Sequence, residues 1–330
     1  MTRWIALSDQ PDLPAAPQQA GALEHGVLVF EIEMPLAGAG VLLDLRAGSG
    51  ADEVALSLFH DLGAGVALLH RQGGRVLRHV LPGPLPQKIG VARLSFGWDM
   101  RGRGWWMEMD LAGQRLRAEG AAAMPIRRAD LMALCAGGAG VIRHPAVLWF
   151  GAMQGRAQPG PLGWLGVATP VLTRQGAVAA GALRPGDRVM TRDHGAVALV
   201  AVTRVQVPSR GSMAPIRLRA PYFGQGGDML VSPDQPVLIT GPEAEYLFGE
   251  EEVLVLARHL ADGQMAVADS RRAVAQGVVL DLGMPEVVEA SGCGLAMAGP
   301  EGMAPARRVL DAFEAAPLRN ALQRVQRRAV

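Results

Sequence analysis

Hydrophobic and polar residues alternate along most of the first 150 positions. In Leu28–Met34 every even position is apolar and two of the three odd positions are glutamate, a pattern typical of a strand with one solvent-facing side. Residues 92–98 and 105–111 alternate in the same way. Further runs lie at Val41–Leu45, Val54–His60, Val66–His70 and Arg75–Leu81, separated by Gly- and Pro-rich turns. The pattern predicts an antiparallel β-sandwich, with one short helix at Arg128–Leu134.

This succession of strands ends in two tryptophan-bearing runs, 96–98 and 104–106, and it resembles a concanavalin A-like (laminin-G-like) jelly roll. Domains of that kind often bind sugars, some of them with Ca²⁺. The resemblance therefore implies Trp105 or Trp106 as a ligand-binding side chain. Alternation places one of the two indoles on the outer face, where a neighbouring loop could cover it instead. The spacing of the loop acids does not form a metal site, so no metal and no cofactor is predicted; these acids are Asp44, Asp52, Asp61 and Asp99.

The alternating pattern stops at residues 151–163, where glycine and proline dominate and a linker is expected. The chain is then organised as a series of segments. We expect an N-terminal arm at 1–22, a β-sandwich at 23–150, the linker at 151–163, a second domain at 164–299 and a helical tail at 300–330. In the tail, Pro305 is expected to start one helix that Pro317 ends, and Leu318, Leu322 and Val325 form the apolar side of a second helix.

The second domain opens with two short strands and a tight turn. Ala168-Thr169-Pro170-Val171 is followed by a turn at Gln175-Gly176, and Arg184-Pro185-Gly186-Asp187 leads into a third strand. This opening resembles that of bacterial Hedgehog/intein (Hint) domains, which runs Gly-Thr-x-Ile-x-Thr and then Leu-x-x-Gly-Asp-x-Val. Gly186 and Asp187 are expected to form the turn, with the carboxylate accepting hydrogen bonds from backbone amides.

Three later blocks agree with the same family in order and spacing. Residues 228–239 resemble its Leu-x-Ser-Pro-x-His-x-Val-Leu strand, residues 245–260 its Leu-Phe-Gly-Glu segment, and residues 279–288 its closing strand. The resemblance covers about 130 residues, from about 161 to 299. The fold class that follows is mainly β: an N-terminal jelly-roll-like sandwich, then an all-β Hint fold, then a short helical tail.

The resemblance also implies a chemistry. Hint domains cleave the peptide bond at their own N-terminus, where a Cys or Ser attacks the preceding carbonyl carbon and a Thr-x-x-His block supports the reaction. The family offset from Thr169 places that nucleophile at or near Trp164-Leu165, and no Cys, Ser or Thr occurs from Gly151 to Ala168. The Thr-x-x-His block begins at Ser232 and ends at Gln235, which cannot transfer a proton near neutral pH. Pro285 stands where the closing strand often carries a histidine.

These degenerate positions predict that self-cleavage is lost. The leftover groups that could replace the missing ones are Cys293, His194 and His259, with a packed thiol and ordinary surface histidines as the alternatives. The chain is then a binding or structural protein built on a catalytically degenerate autoprocessing scaffold. Two alternatives stay open: an active self-cleaving protein with an unconventional nucleophile, and a carbohydrate-binding module.

The composition of the chain limits which classes of partner we expect it to bind. The formal net charge is +1, which gives no electrostatic reason to expect nucleic acid. No apolar run is long enough for a transmembrane segment or a signal peptide, so a cytoplasmic location is the default expectation, with export by a pathway that needs no N-terminal signal as the alternative. The partner is unknown, and a glycan or a protein fits the sequence.

Overall fold

The computed structural model describes residues 3–9, 21–50, 53–138, 140–155 and 163–328. Contacts within the chain divide it into two compact units, Met1–Gln158 and Pro159–Val330. Within the described residues each unit is built mainly from antiparallel strands.

The first unit contains thirteen strands and one helix among the residues described. They are β1 (Arg3–Leu7), β2 (Ala22–Leu23), β3 (His25–Met34), β4 (Gly40–Ala47), β5 (Val54–Asp61), β6 (Gly65–Gln72), β7 (Arg75–Pro82), β8 (Gly90–Asp99), β9 (Gly104–Leu111), β10 (Gln114–Ala121), β11 (Ile126–Arg127), α1 (Arg128–Ala136), β12 (Val141–Arg143) and β13 (Val147–Gln154). One sheet has the order β1-β13-β3-β8-β9-β10, the other has the order β12-β4-β5-β6-β7, and β2 pairs with β11.

The two larger sheets enclose one hydrophobic core, which makes this unit a β-sandwich as the alternation predicted. Phe30 and Phe96 point into the core from the first sheet, and Leu58 and Leu68 point into it from the second. In β9 the residues Met107, Met109 and Leu111 are buried while the intervening ones are half-buried, as expected for a strand with one core-facing side.

The N-terminal residues correct one expectation. Residues 3–7, assigned to a loosely held arm, form β1 and pair with β13 at the edge of the six-stranded sheet. Trp4, Ala6 and Leu7 are buried there, and burial of these side chains stabilises a strand that is too short to be recognised from alternation alone. Residues 1–2 and 10–20 of the predicted arm lie outside the described residues.

The second unit consists of two sheets that share another core. Its strands are β14 (Leu165–Gly166), β15 (Pro170–Thr173), β16 (Gly176–Ala179), β17 (Arg188–Thr191), β18 (Gly195–Ala198), β19 (Ala201–Pro208), β20 (Ile216–Leu218), β21 (Met229–Val231), β22 (Pro236–Thr240), β23 (Glu252–Leu256), β24 (Ala266–Ala268), β25 (Val274–Asp281), β26 (Glu286–Ala290), β27 (Cys293–Met297) and β28 (Val309–Leu310). Its helices are α2 (Pro242–Phe248), α3 (Ala257–Leu260) and α4 (Ala312–Arg328), with 3₁₀ turns at Ala180–Ala182 and Gly211–Met213.

One sheet of this unit has the order β19-β25-β14-β21-β20-β24, and the other has the order β16-β15-β17-β26-β27-β22-β23-β28, with β18 paired to β17. The pairings are antiparallel except that of β23 with β28. Strand β14 is therefore central in its sheet although it has only two residues, and it carries the chain past the candidate site.

The C-terminal tail corrects a second expectation. Pro305 starts no helix, and Pro317 lies inside α4 instead of ending a first one. Asp311 caps the start of α4: its Oδ1 accepts hydrogen bonds from the N–H groups of Phe313 and Glu314, while Glu314 Oε2 accepts one from the Asp311 N–H. This reciprocal capping box fixes the helix start. Burial of Ala315 and Leu318 holds the helix together across the proline.

Candidate functional site

Strand pairing brings Trp164 beside Ser232. Leu165 of β14 pairs with Val231 of β21, and the Ser232 N–H donates a hydrogen bond of 2.9 Å to the Trp164 carbonyl oxygen. The residue expected to hold the nucleophile and the first residue of the Thr-x-x-His block are therefore neighbours in the backbone network.

Gln235 completes the same group. Its side chain is fully buried, and its Nε2 donates hydrogen bonds to the carbonyl oxygens of Ala296 at 2.7 Å and Pro236 at 3.1 Å. Its Oε1 lies against Gly163, because a Cβ atom added to Gly163 would come within 2.8 Å of it. Gln235 thus contacts the residue that precedes Trp164, where the acid of a cleaving domain would act on the junction between residues 163 and 164.

Trp164 itself is packed as a core residue. It is 4% exposed, and a Cβ atom at Gly277 of β25 would lie 2.6 Å from Cδ2 of its indole. The indole therefore covers the backbone of Gly277, at the position where the family resemblance leads us to expect a nucleophile. Gly277 is not among the residues predicted from the sequence. Its signal was a lone glycine inside the apolar run of β25, since such a glycine marks a close approach of another group.

The two hydroxyl groups near the junction form hydrogen bonds with backbone groups. Thr169 Oγ1 donates a long hydrogen bond of 3.5 Å to the Leu230 carbonyl oxygen, and Ser232 Oγ accepts one of 3.0 Å from the Asp234 N–H. The Gln235 N–H also donates to the Ser232 carbonyl oxygen, so residues 232–235 form a hydrogen-bonded turn. Both hydroxyls are buried in these roles.

Pro285 is placed elsewhere, against Gly299, where an added Cβ would lie 2.8 Å from Pro285 Cγ. Contact between the junction and the hairpin of β26 and β27 comes instead from Gln235, through the carbonyl oxygen of Ala296. Ala296 pairs with Val287, two residues beyond Pro285 along the chain.

The leftover nucleophile and histidines have other surroundings. Cys293 lies at the other end of that hairpin, paired with Ala290, and burial raises the pKa of its thiol to about 12, which keeps it protonated near neutral pH. His194 Nδ1 contacts the buried carboxylate of Glu286. Burial lowers the pKa of His259, and the neighbouring Arg258 lowers it further.

The turn at Gly186 and Asp187 has the geometry its residues favour. Gly186 has a φ of 91°, a left-handed conformation that suits glycine. The Arg184 N–H donates a hydrogen bond of 2.9 Å to Asp187 Oδ2, so the carboxylate closes the turn between the 3₁₀ segment and β17.

Of the two candidate tryptophans in the first unit, Trp105 faces the interior. Its ring centroid lies 4.9 Å from that of His79, and its Nε1 donates to the Ala121 carbonyl oxygen at 3.1 Å. Trp106 faces the outer side, where its indole lies over Gly97 and the Arg117 guanidinium lies 5.6 Å from its ring centroid. Both contacts use ring surface that a stacked sugar would need.

Asp61 and Asp99 are engaged in their own turns, whereas Asp44, predicted to be a loop acid, is a buried residue of β4. Asp44 accepts hydrogen bonds from Ser57 and Arg46, Asp61 from the N–H groups of residues 63 and 64, and Asp99 from that of residue 101. Asp52 lies outside the described residues. Across the described ranges, no group of three or more His, Cys, Asp or Glu side chains could hold a metal ion. In the same ranges, no helix is both long and apolar enough to cross a membrane.

The fold and the site together define a β-sandwich followed by an all-β unit with an internal peptide junction whose expected reactive positions are filled by Trp164 and Gln235. Residues 166–295 match the family model of the Hint domain, so the second unit of this chain is a Hint domain. This confirms the family that the four sequence blocks indicated.

Comparisons with curated proteins and with solved structures are less informative than the family match. No curated protein matches the chain. Among solved structures, the CBM40 of the Ruminococcus gnavus IT-sialidase is similar, with 15% identity over 42% of this chain and 79% of that one and a TM-score of 0.32. The LG1-3 region of the laminin alpha2 chain is similar with 9% identity over 92% of this chain and 57% of that one and a TM-score of 0.27. Likenesses at this level assign no function to the chain.

Proposed function

We propose that this chain is a Hint-domain protein that does not cleave itself and whose Hint unit serves as a binding or structural scaffold. The observation that carries the proposal is the pairing of a packed Trp164 at the nucleophile position with a fully buried Gln235 at the acid position. An indole ring has no group that can attack a carbonyl carbon, and a carboxamide has no proton to give to a leaving amine near neutral pH.

The hydrogen bonds around the junction support a structural role for the same residues. Gln235 joins the start of β22 to β27 through the Ala296 carbonyl oxygen, and Ser232 joins Trp164 to β21. These bonds satisfy buried polar groups and hold three strands together. In a site that cleaves a peptide bond, the acid must be free to reach the nitrogen of that bond.

The alternative of self-cleavage through an unconventional nucleophile has less support. The thiol of Cys293 is buried and protonated near neutral pH, and the hydroxyls of Thr169 and Ser232 are engaged with backbone groups. Sugar binding also takes second place, because Gly97 and Arg117 occupy the ring surface of the outward Trp106.

Intact-mass spectrometry of the purified full chain tests the proposal directly. The chain is incubated with and without dithiothreitol or hydroxylamine, which cleave thioesters and esters. We expect a single species with the mass of the intact chain under each condition. A break between about residues 155 and 169 that one nearby substitution abolishes would overturn the proposal and favour the self-cleaving alternative.

A further inference from the structure

The sheet that contains β14 has a gap where this central strand ends. β14 lies between β25 and β21, with Gly166 paired to Gly277 and Leu165 paired to Val231. After Gly166 the chain turns out of the sheet, and the Val167 carbonyl oxygen accepts a hydrogen bond of 2.8 Å from the Gly181 N–H. Beside this turn, the first residues of β25 and β21 line a cavity of about 570 Å³.

The rim of this cavity carries five charged side chains. They are Arg217, Arg271, Arg272, Asp228 and Asp269. Three guanidinium groups against two carboxylates leave one net positive charge, and the lining contains no lysine, histidine or glutamate. Part of the cavity lining is apolar, and the excess positive charge on its rim favours an anionic ligand.

The arginines differ in how firmly they are held. Asp269, whose side chain is 10% exposed, contacts the Arg217 guanidinium and accepts hydrogen bonds from Arg271 Nε and Nη2 at 3.0 and 3.1 Å. Arg217 also lies 3.6 Å from Asp228. Arg272 is exposed and forms no ion pair within the part of the chain that the structure describes. Two guanidinium groups are thus held in a fixed geometry, and the third is available to a ligand.

Apolar side chains also contribute to the cavity lining. Met229, Leu230 and Ala275 line it, together with the backbone of Gly166 to Ala168. The buried Ser209 adds a hydroxyl group. A volume of 570 Å³ lies within the range of sites that hold small organic ligands, about 300 to 1,000 Å³.

We propose that this cavity binds a small organic oxyanion, a carboxylate or a phosphate ester attached to an apolar body. The oxyanion contacts Arg272 and the free edge of Arg271, since a guanidinium group matches carboxylate and phosphate oxygens in a plane. The apolar body lies along Leu230, the half-buried residue of β21. This inference does not depend on whether the junction at Trp164 is cleaved, so it stands or falls separately from the proposed function.

Isothermal titration calorimetry with the full chain tests the proposal. Phenyl phosphate and benzoate are the two anionic probes, and phenol is the uncharged probe of similar shape. We expect saturable binding of at least one anion below about 10 mM, with phenol binding at least tenfold more weakly, about the effect of one charge-assisted hydrogen bond. The two anionic probes distinguish a phosphate site from a carboxylate site.

Two matched variants show whether the anion binds in this cavity. Arg272→Ala should weaken binding of the anion by about tenfold. Arg174→Ala removes an exposed arginine from the turn between β15 and β16, outside the cavity, and should leave the affinity unchanged. Circular dichroism checks that both variants are folded. Absence of saturable binding for both anions, equal affinity for phenol, or equal weakening by the two variants would each overturn the proposal.

Discussion

A Cβ atom at Gly277 would lie 2.6 Å from Cδ2 of the Trp164 indole, so the indole can occupy its position only because residue 277 has no side chain. The glycine gives the ring room to cover β25, and the ring lies where the sequence predicts the nucleophile of a cleaving domain. Gly277 pairs with Gly166, the second residue of β14, and this pairing places the contact in the centre of the sheet.

Gly277→Ala should destabilise the second unit by about 1–3 kcal/mol, because the added methyl group overpacks a buried contact. The free energy of unfolding in urea, followed by far-ultraviolet circular dichroism, measures the change. Gly227→Ala is the matched control, since an added Cβ there meets open space and its φ is not in the left-handed region. It should change stability by no more than about 0.5 kcal/mol.

A double-mutant cycle identifies the partner. Trp164→Leu removes most of the overlap, so Gly277→Ala should cost less in that background than in the wild-type chain, with a coupling of about 0.5–3 kcal/mol. Equal costs in the two backgrounds would show that Trp164 is not the group that requires glycine at position 277.

Much of this architecture follows from local sequence signals. Alternation in segments such as β3 and β9 reports one buried face per strand, and that is enough to predict two sheets around a core. The Hint resemblance gives Trp164, Ser232 and Gln235 roles in one reaction, and the structure adds that pairing of β14 with β21 brings Trp164 beside Ser232.

Other features depend on contacts between distant residues. β1 is stabilised by pairing with β13, which lies more than 130 residues further along the chain. The partner of Gln235, Ala296, is 61 residues away and contributes only a carbonyl oxygen, which has no sequence signature. The helix start at Asp311 was visible as an Asp-x-x-Glu pattern, and it outweighs the proline signals because its bonds satisfy N–H groups that would otherwise lack partners.

Removal of the Asp311 cap tests how much it contributes to the stability of α4. Asp311→Ala should destabilise α4 by about 1 kcal/mol, because the N–H groups of Phe313 and Glu314 lose their acceptor. Hydrogen exchange of the α4 amides should accelerate by about fivefold, the factor that this free energy implies. Asp311→Asn retains the side-chain oxygen and should exchange nearly as the wild type does. Equal acceleration in both variants would assign the effect to charge instead of capping.

Two buried histidines predict a pH dependence of the first unit. Burial lowers the pKa of His70 and of His79 from 6.5 to about 4, and His79 also lowers that of His70. Between pH 6.5 and 4 the unfolded chain binds protons that the folded chain does not, so stability is fully present above pH 6.5 and falls as the pH approaches 4.

Each histidine should contribute on the order of 1–3 kcal/mol to that loss. Urea unfolding of the wild type and of His70→Leu at several pH values within this window isolates the contribution, since the carboxylates are common to both chains. The stability of the variant should fall less steeply. Parallel curves for the two proteins would contradict the assignment.

Restoring the two missing groups gives the most direct test of what the Hint unit has kept. In Trp164→Cys/Gln235→His, the new thiolate can attack the Gly163 carbonyl carbon, and the imidazole can protonate the amine as the C–N bond breaks. The result is a thioester that dithiothreitol cleaves. The backbone around the junction is already in place, because the Ser232 N–H binds the Trp164 carbonyl oxygen and residue 235 contacts Gly163. We expect the fragment Met1–Gly163 in intact-mass spectra of the double variant with dithiothreitol.

Each single variant should stay largely intact, Trp164→Cys for want of an acid and Gln235→His for want of a nucleophile. Loss of the indole leaves a cavity that costs about 3–5 kcal/mol, so circular dichroism at reduced temperature must first show that the double variant is folded. A folded double variant that stays intact would mean that the junction has lost its reactive geometry as well as its reactive groups. Cleavage confined to the double variant would mean that two side chains alone separate this scaffold from a self-cleaving one.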